Sequence, residues 1–480
     1  MSAQTNLGSR FAGSFKRISI LLLVSLIVRS SLFATTGGQV DGRAEAKQVE
    51  EFGVREVSSL DGTWQIIFDP ANKGERASWY KREFFEAQRQ KVPIRVPSCW
   101  EETKQDYEGV AWYGCFFDVP RRWESKVIRL RFGAVNYVAE VWVNNEVVGF
   151  HEGGYTPFAF DISDLLQFDR DNFLAVRVIG PIITQDISID GIGREEMPNW
   201  RGAIAGGIWQ SVELIATEPT YIRDVFIEPK ISEDLATVHV AIENKKLRKK
   251  DISVFLRVCN LRGSSKVVAE TEEEAELVPG INKLSLDLRM DSPVLWSPED
   301  PALYVSEIRL VKDDEIVDLV RTRFGMREFT IREGDFYLNG ERIYLKAGFW
   351  EGVYPTTLAY PNDVELVRKE ILLAKQAGFN TLRPWRKPPP PLILDLADEL
   401  GICVIGCPPI ECMRQGPTEA PHMENRIVNE VKELVLRDRN HPSVIYWEIF
   451  NEIIRQSLAR LMHTTALVAR SLDPTRVIVD

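Results

Sequence analysis

Val444-Ile445-Tyr446-Trp447-Glu448-Ile449-Phe450-Asn451-Glu452 is an apolar run that closes on an amide and a carboxylate. The preceding Asn440-His441-Pro442-Ser443 is a stop signal, so the run reads as a strand and not as a continuing helix. Near-continuous hydrophobicity marks a parallel strand covered on both faces. In a (β/α)8 barrel, polar residues at the C-terminal tip of such a strand face the reaction pocket. Asn451 and Glu452 are therefore expected at a pocket, with Trp447 lower in the same strand. Glu448 lies four residues back from Glu452. Alternation puts it on the same face but about 13 Å lower, at roughly 3.3 Å per residue, which favours a structural role.

Around this strand the pattern is strand and helix in turn. Ile343 to Ala347 reads as a first strand. Asp363 caps a helix with Val367, Ile371, Ala374 and Ala377 on one face, ended by Gly378. Thr381-Leu382-Arg383 is a second strand, Leu392 to Leu400 a helix, and Ile402 to Ile405 a third strand. Ile427, Val428, Val431, Leu434 and Val435 stripe the next helix. Beyond the fourth strand, Leu458 to Leu472 and Arg476 to Asp480 supply one more helix and a fifth strand. This alternation predicts a TIM barrel, of which residues 327–480 hold the N-terminal part. A whole barrel takes about 250 residues, so a truncated member of a longer protein is expected. Lys387-Pro388-Pro389-Pro390-Pro391 reads as a stiff βα loop in preference to a polyproline ligand.

The N-terminal half has another texture. Residues 55–217 are short alternating runs broken by Gly, Pro and Asn, among them Val127 to Phe132, Ala139 to Asn144 and Phe173 to Val178. Asn144-Asn145 is a tight turn. The block fits a jelly-roll sandwich, and residues 218–326 fit an immunoglobulin-like sandwich. His151-Glu152-Gly153-Gly154 is read as tight backbone geometry, with Tyr155 and Phe158 packing the turn, in preference to a metal cluster.

The 480 residues carry a net charge of −11 with no basic stripe, which argues against nucleic acid as a partner. Arg10, Lys16 and Arg17 precede the apolar stretch Ile18 to Val28, too short to span a bilayer. Residues 1–34 thus read as a signal peptide and 35–54 as a linker, implying an exported protein, periplasmic or secreted. An uncleaved N-terminal anchor is the alternative and the one membrane contact considered. Six cysteines are too few for a disulfide framework, and only Cys99 with Cys115 tempts as a pair. Cys403 and Cys407 look like core fillers. The sequence leaves oligomeric state open.

The string from Asn440 to Glu452 resembles glycoside hydrolase family 2, the β-galactosidase, β-glucuronidase and β-mannosidase group. Leu60 to Trp64, Val96 to Trp100, His151 to Phe158 and Gly206 to Trp209 resemble that family's opening sugar-binding domain, and Leu295-Trp296-Ser297-Pro298 its link into the barrel. The resemblance implies a retaining β-glycosidase acting on a β-linked oligosaccharide or glycoconjugate. It makes Glu452 the general acid/base and Asn451 a contact to the sugar hydroxyl beside the reacting carbon. Arg383 lines the pocket floor, and Trp385 is a further sugar contact of altered chemistry. The nucleophile of the family is a glutamate on the seventh barrel strand, beyond residues 1–480. Magnesium-dependent galactosidases show Ile-Glu-x-His where this sequence has Ile410-Glu411-Cys412-Met413, so neither metal nor cofactor is expected. The competing hypothesis is a non-catalytic, exported carbohydrate-binding protein built on the two sandwiches, which predicts glycan binding by residues 55–326 alone.

Overall fold

The computed structural model describes residues 50–52, 54–193, 196–198, 205–261, 266–410, 420–451 and 459–479. The proposed signal peptide and most of the linker lie outside these residues.

The first unit is a two-sheet antiparallel sandwich. One sheet orders Glu50–Phe52, Arg55–Ser59, Val212–Thr217, Val127–Phe132 and Phe158–Asp161. The other orders Val92–Val96, Gly62–Phe68, Val110–Phe117, Asn172–Ile179, Val138–Val143 and Glu146–Glu152. Trp64, Ile66, Tyr113, Leu130, Val141 and Val176 fill the space between them. The alternating Asn172–Ile179 is buried on both faces, because Trp79, Phe85, Trp112 and Trp142 form a second apolar layer outside it. Arg177 is sealed there and survives by pairing with Glu140 (2.8 Å) and Asp190. Asn144 and Asn145 both take positive φ, 50° and 76°, as a tight hairpin turn requires. The tempting pair does not form. Cys115 lies in the inter-sheet core, and Cys99 is a free thiol among Ala134, Tyr155 and Trp209.

A second sandwich sets Thr220–Lys230, Leu235–Asn244 and Gly280–Arg289 against Val267–Leu277, Lys250–Asn260, Tyr304–Lys312 and Glu315–Phe324. Val238, Val240, Val254, Leu256 and Ile308 meet in its core.

The last unit is a parallel sheet, β1 (Ala347–Trp350), β2 (Thr381–Pro384), β3 (Cys403–Gly406), β4 (Val444–Glu448) and β5 (Val477–Val479), hydrogen-bonded in that order. Helices α1 (Val364–Gln376), α2 (Pro391–Leu400), α3 (Met423–Asp438) and α4 (Ala459–Leu472) connect the strands, giving a partial (β/α)8 barrel. Asp363 caps α1 by accepting from the amides of Glu365 and Leu366, and Gly378 follows its end at φ 89°. One expectation is corrected: β1 begins at Ala347, where the expected strand ended. Glu341–Arg342 pairs back onto Asp335–Leu338, and Ile343 donates its amide to Phe336 O. Ile343 and Leu345 then pack against Trp296, Leu303, Phe329 and Leu338, an apolar cluster next to Cys403 and Ile445.

The string before β4 is a structural brace. Asn440 accepts the amide of Ile227 (2.9 Å) and donates to Val225 O (2.7 Å), continuing the edge of the second sandwich. Asp398, buried in α2, accepts the Ser443 amide (2.9 Å) and pairs with His441 Nδ1 (2.6 Å). Burial alone would lower the His441 pKa, but Asp398 outweighs it and holds the imidazole above its ordinary value. A raised folded-state pKa gives stability that is full below the unfolded value and lost as pH rises through the folded one. His441→Asn is therefore expected to remove a part of the wild-type stability that is present at pH 5–6 and fades on alkalinisation. Melting temperatures of both proteins across pH check this, and a pH-independent gap between them would refute it.

Candidate active site

The C-terminal tips of β2, β3 and β4 converge on one carboxylate. Glu448, at the end of β4 and 8% exposed, receives Arg383 through Nε (2.9 Å) and Nη2, and Arg386 through Nη2 (3.0 Å). Cys407, just past β3, sets its Sγ 3.8 Å from the same group, and burial pushes that thiol up to about 12. Arg383 Nη2 also donates to Asn451 Oδ1 (3.3 Å). The Glu448 carboxylate holds the Arg383 guanidinium above its ordinary pKa despite partial burial. Trp385 stands as a half-buried wall: Arg383 lies 4.8 Å from its ring centroid, Arg386 5.5 Å, and Phe349 tilts against it at 5.3 Å. Its amide bonds Trp350 O at the end of β1 (3.0 Å).

Arg383, Trp385 and Asn451 thus come together at the tips, where the sequence placed them. Glu452 lies outside the described residues, as do Glu411, Cys412 and Met413. Glu448, assigned a structural role, is the ionic centre of the cluster. Arg386 was not singled out in the sequence. It adopts φ 52° and folds back fully buried, donating to the carbonyls of Glu448 (3.1 Å) and Ile449 (3.2 Å). Its three-residue spacing from Arg383 was the only available signal. Lys387 was missed too. It is 3% exposed and its Nζ has no hydrogen-bond partner among the described residues; burial outweighs the pull of Glu351 and drops its pKa to about 8. It borders a cavity of about 10 Å³, room for one water, between the first sandwich and the barrel loops.

The proline loop and the glycine string are both structural here. Arg437 in α3 donates to Pro389 O (2.7 Å) and to Tyr155 O (2.6 Å), clamping the loop after β2 to the first sandwich. Glu433 receives His151 Nε2 (3.0 Å) and the Thr156 hydroxyl (2.6 Å), and Arg426 holds Glu152 (2.9 Å). A Cβ on Gly154 would sit 2.3 Å from Asn136 Oδ1, so only glycine fits that contact. Asp395, Asp398 and His441 bring metal-type donor atoms within 4.8 Å of one another. Both Asp398 oxygens are engaged and Asp395 pairs with Arg323, so the group reads as a charge brace at the N-terminal end of β4.

Two sandwiches thus lead into a parallel barrel with an arginine-held asparagine at the tip of its fourth strand. Residues 57–218 match the sugar binding domain of glycosyl hydrolases family 2, residues 220–327 match glycosyl hydrolases family 2, and residues 329–479 match the family's TIM barrel domain. The chain belongs to glycosyl hydrolases family 2. It is 32% identical over 357 residues to a beta-galactosidase of Thermoanaerobacter pseudethanolicus, covering 72% of this chain and 45% of that one. A putative beta-glucuronidase of Formosa agariphila is 30% identical over 382 residues, covering 77% of this chain and 34% of the relative. The chain thus spans less than half the length of either relative. Its fold is that of the Bacteroides uniformis beta-glucuronidase, with a TM-score of 0.76 at 23% identity over 88% of this chain and 52% of that one.

Proposed function

We propose that this chain carries the acid/base half of a retaining β-glycosidase, with Glu452 as general acid/base. The observation that carries the reading is Asn451, held by Arg383 at the tip of β4 and directly preceding Glu452 in a family 2 barrel. Retaining cleavage needs two carboxyl groups about 5–5.5 Å apart, one protonating the leaving oxygen and one attacking the sugar. Glu452 directly follows Asn451 in the sequence, and a carboxyl shielded from water at that point would stay protonated longer, as the first role requires. Glu448 does not suit the second, because both its oxygens are committed to arginines. The attacking glutamate is proposed to belong to barrel units beyond residue 480. A polypeptide of residues 1–480 alone is then expected to hydrolyse no glycoside.

The substrate is a β-linked glycoside, with β-galactoside the first to try and β-glucuronide the second, following what the relatives are called. Export through residues 1–34 is part of the same proposal. The test is the product of the complete reading frame, assayed on aryl β-galactoside, β-glucuronide and β-mannoside, with product anomers followed by NMR. Release of the β-anomer first supports retention. Release of the α-anomer, or hydrolysis of none of the three, overturns the reading.

A further inference from the structure

Glu448 is the residue of the site least explained by filling space. A leucine would pack the tip of a buried strand, whereas a carboxylate there must be paired to be tolerated. Among the described residues, the charged or titratable groups that meet it from neighbouring elements are Arg383 from β2, Arg386 from the loop after β2, and Cys407 from the end of β3. Tyr446 of its own strand senses its charge.

The two guanidinium groups do not end on Glu448. Arg386 reaches past it to the carbonyls of Glu448 and Ile449, the backbone immediately before Phe450 and Asn451. Arg383 reaches to Asn451 Oδ1 at 3.3 Å. One carboxylate therefore gathers two arginines, one gripping the backbone of the tip and the other gripping the carbonyl end of the asparagine amide. Planar guanidinium groups with several fixed donors hold direction as well as charge.

We propose that Glu448 is a positioning residue: through Arg383 and Arg386 it sets the orientation of Asn451, so that the amide presents its NH2 end to an acceptor oxygen of the bound sugar. The assignment rests on the glycosidase reading. It places the contact at the hydroxyl beside the reacting carbon, as a donor from the protein to the sugar oxygen. Glu448 itself touches no substrate, and its effect passes entirely through the Asn451 amide.

A double-mutant cycle tests this in the product of the complete reading frame. Glu448→Gln is expected to lower kcat/KM by about 10²-fold, mostly in kcat, because misplacing a contacting group by about 1 Å costs that much. In an Asn451→Ala background the same change should cost less than about threefold, since the group it orients is gone. Arg383→Lys, at a half-exposed position, keeps the charge but cannot span Glu448 and Asn451 together. It should show the same coupling should Glu448→Gln fail to fold. A 2-deoxy glycoside, lacking the hydroxyl in question, should be nearly indifferent to either change. Additive losses in the cycle, or equal losses on the normal and 2-deoxy substrates, overturn the inference while leaving the glycosidase reading intact. A wild-type protein that hydrolyses no glycoside overturns both.

Discussion

Replacing Glu452 by glutamine is expected to cut turnover of an unactivated β-glycoside by about 10²–10⁴-fold, the usual worth of a positioned general acid. The reason is specific to the step. An alkoxide or sugar oxygen leaves poorly unless it is protonated as the bond breaks, and an amide has no proton to give at that acidity. An aryl glycoside with a strongly acidic phenol leaves without help, so its first step should be nearly unaffected. Its overall rate should then be limited by release of the covalent glycosyl intermediate, where the same residue acts as base. Azide, which needs no base, should restore that second step and yield a β-glycosyl azide. Steady-state rates on both kinds of substrate, with and without azide, are the measurement. Equal loss on both, without azide rescue, would remove Glu452 from the acid/base role.

The second large effect is on stability. Arg476 is 4% exposed and donates to Val444 O (2.7 Å), Arg439 O (2.7 Å) and His441 O (2.6 Å), while pairing with Asp473 Oδ2 (2.6 Å). Asp473 is fully buried and also accepts Trp447 Nε1 (2.9 Å) from β4. Burial alone would raise Asp473, but Arg476 and the hydrogen bonds from Thr475 and Trp447 hold it below the usual carboxylate range. Arg476→Met leaves that buried carboxylate without its ion-pair partner and takes a donor from three carbonyls, although Val444 O keeps Arg327 (3.0 Å) and His441 O keeps the Val444 amide (3.3 Å), a loss of about 3–5 kcal/mol. Denaturant unfolding of variant and wild type should show it at neutral pH. The sign with pH follows from the lowered pKa: the contribution is full above the unfolded value and is lost as pH falls through the folded one. The gap between the two proteins should therefore narrow on acidification. A stability within about 0.5 kcal/mol of wild type at pH 7, the range of an ordinary surface change, would refute the argument.

How far the chain could be read depended on whether a feature was local. β4 was legible because an apolar run between a Pro-Ser stop and a polar tip has few alternative conformations. The α1 boundaries were legible for a similar reason, since Asp363 and Gly378 act through their own backbone neighbourhood. β1 was misplaced because Ile343 and Leu345 carry the same alternation a barrel strand carries. What redirects them is non-local, the hairpin beneath and Trp296 arriving from the link between domains. Glu448 illustrates the same limit at the site. Its position on the strand was readable, but its partners come from another strand and from a loop residue at positive φ. The glycines after His151-Glu152 were read as tight backbone geometry, and the close approach of Asn136 to Gly154 agrees with that, yet the docking of His151 and Glu152 against α3 had no trace in the sequence.

That docking bears on the order in which the protein can assemble. Each partner of α3 on the first sandwich is synthesised well before it, 274 positions earlier for Glu152 with Arg426 and 282 for Tyr155 with Arg437. Domains generally fold as units from the N-terminus while the remainder is still being made. The sandwich can thus stand finished at the ribosome when α3 emerges, offering a carboxylate, an imidazole, a hydroxyl and a carbonyl already in place. An early barrel helix then has a surface to settle on before the strands that follow it exist, and the jelly roll serves as an assembly jig for the barrel.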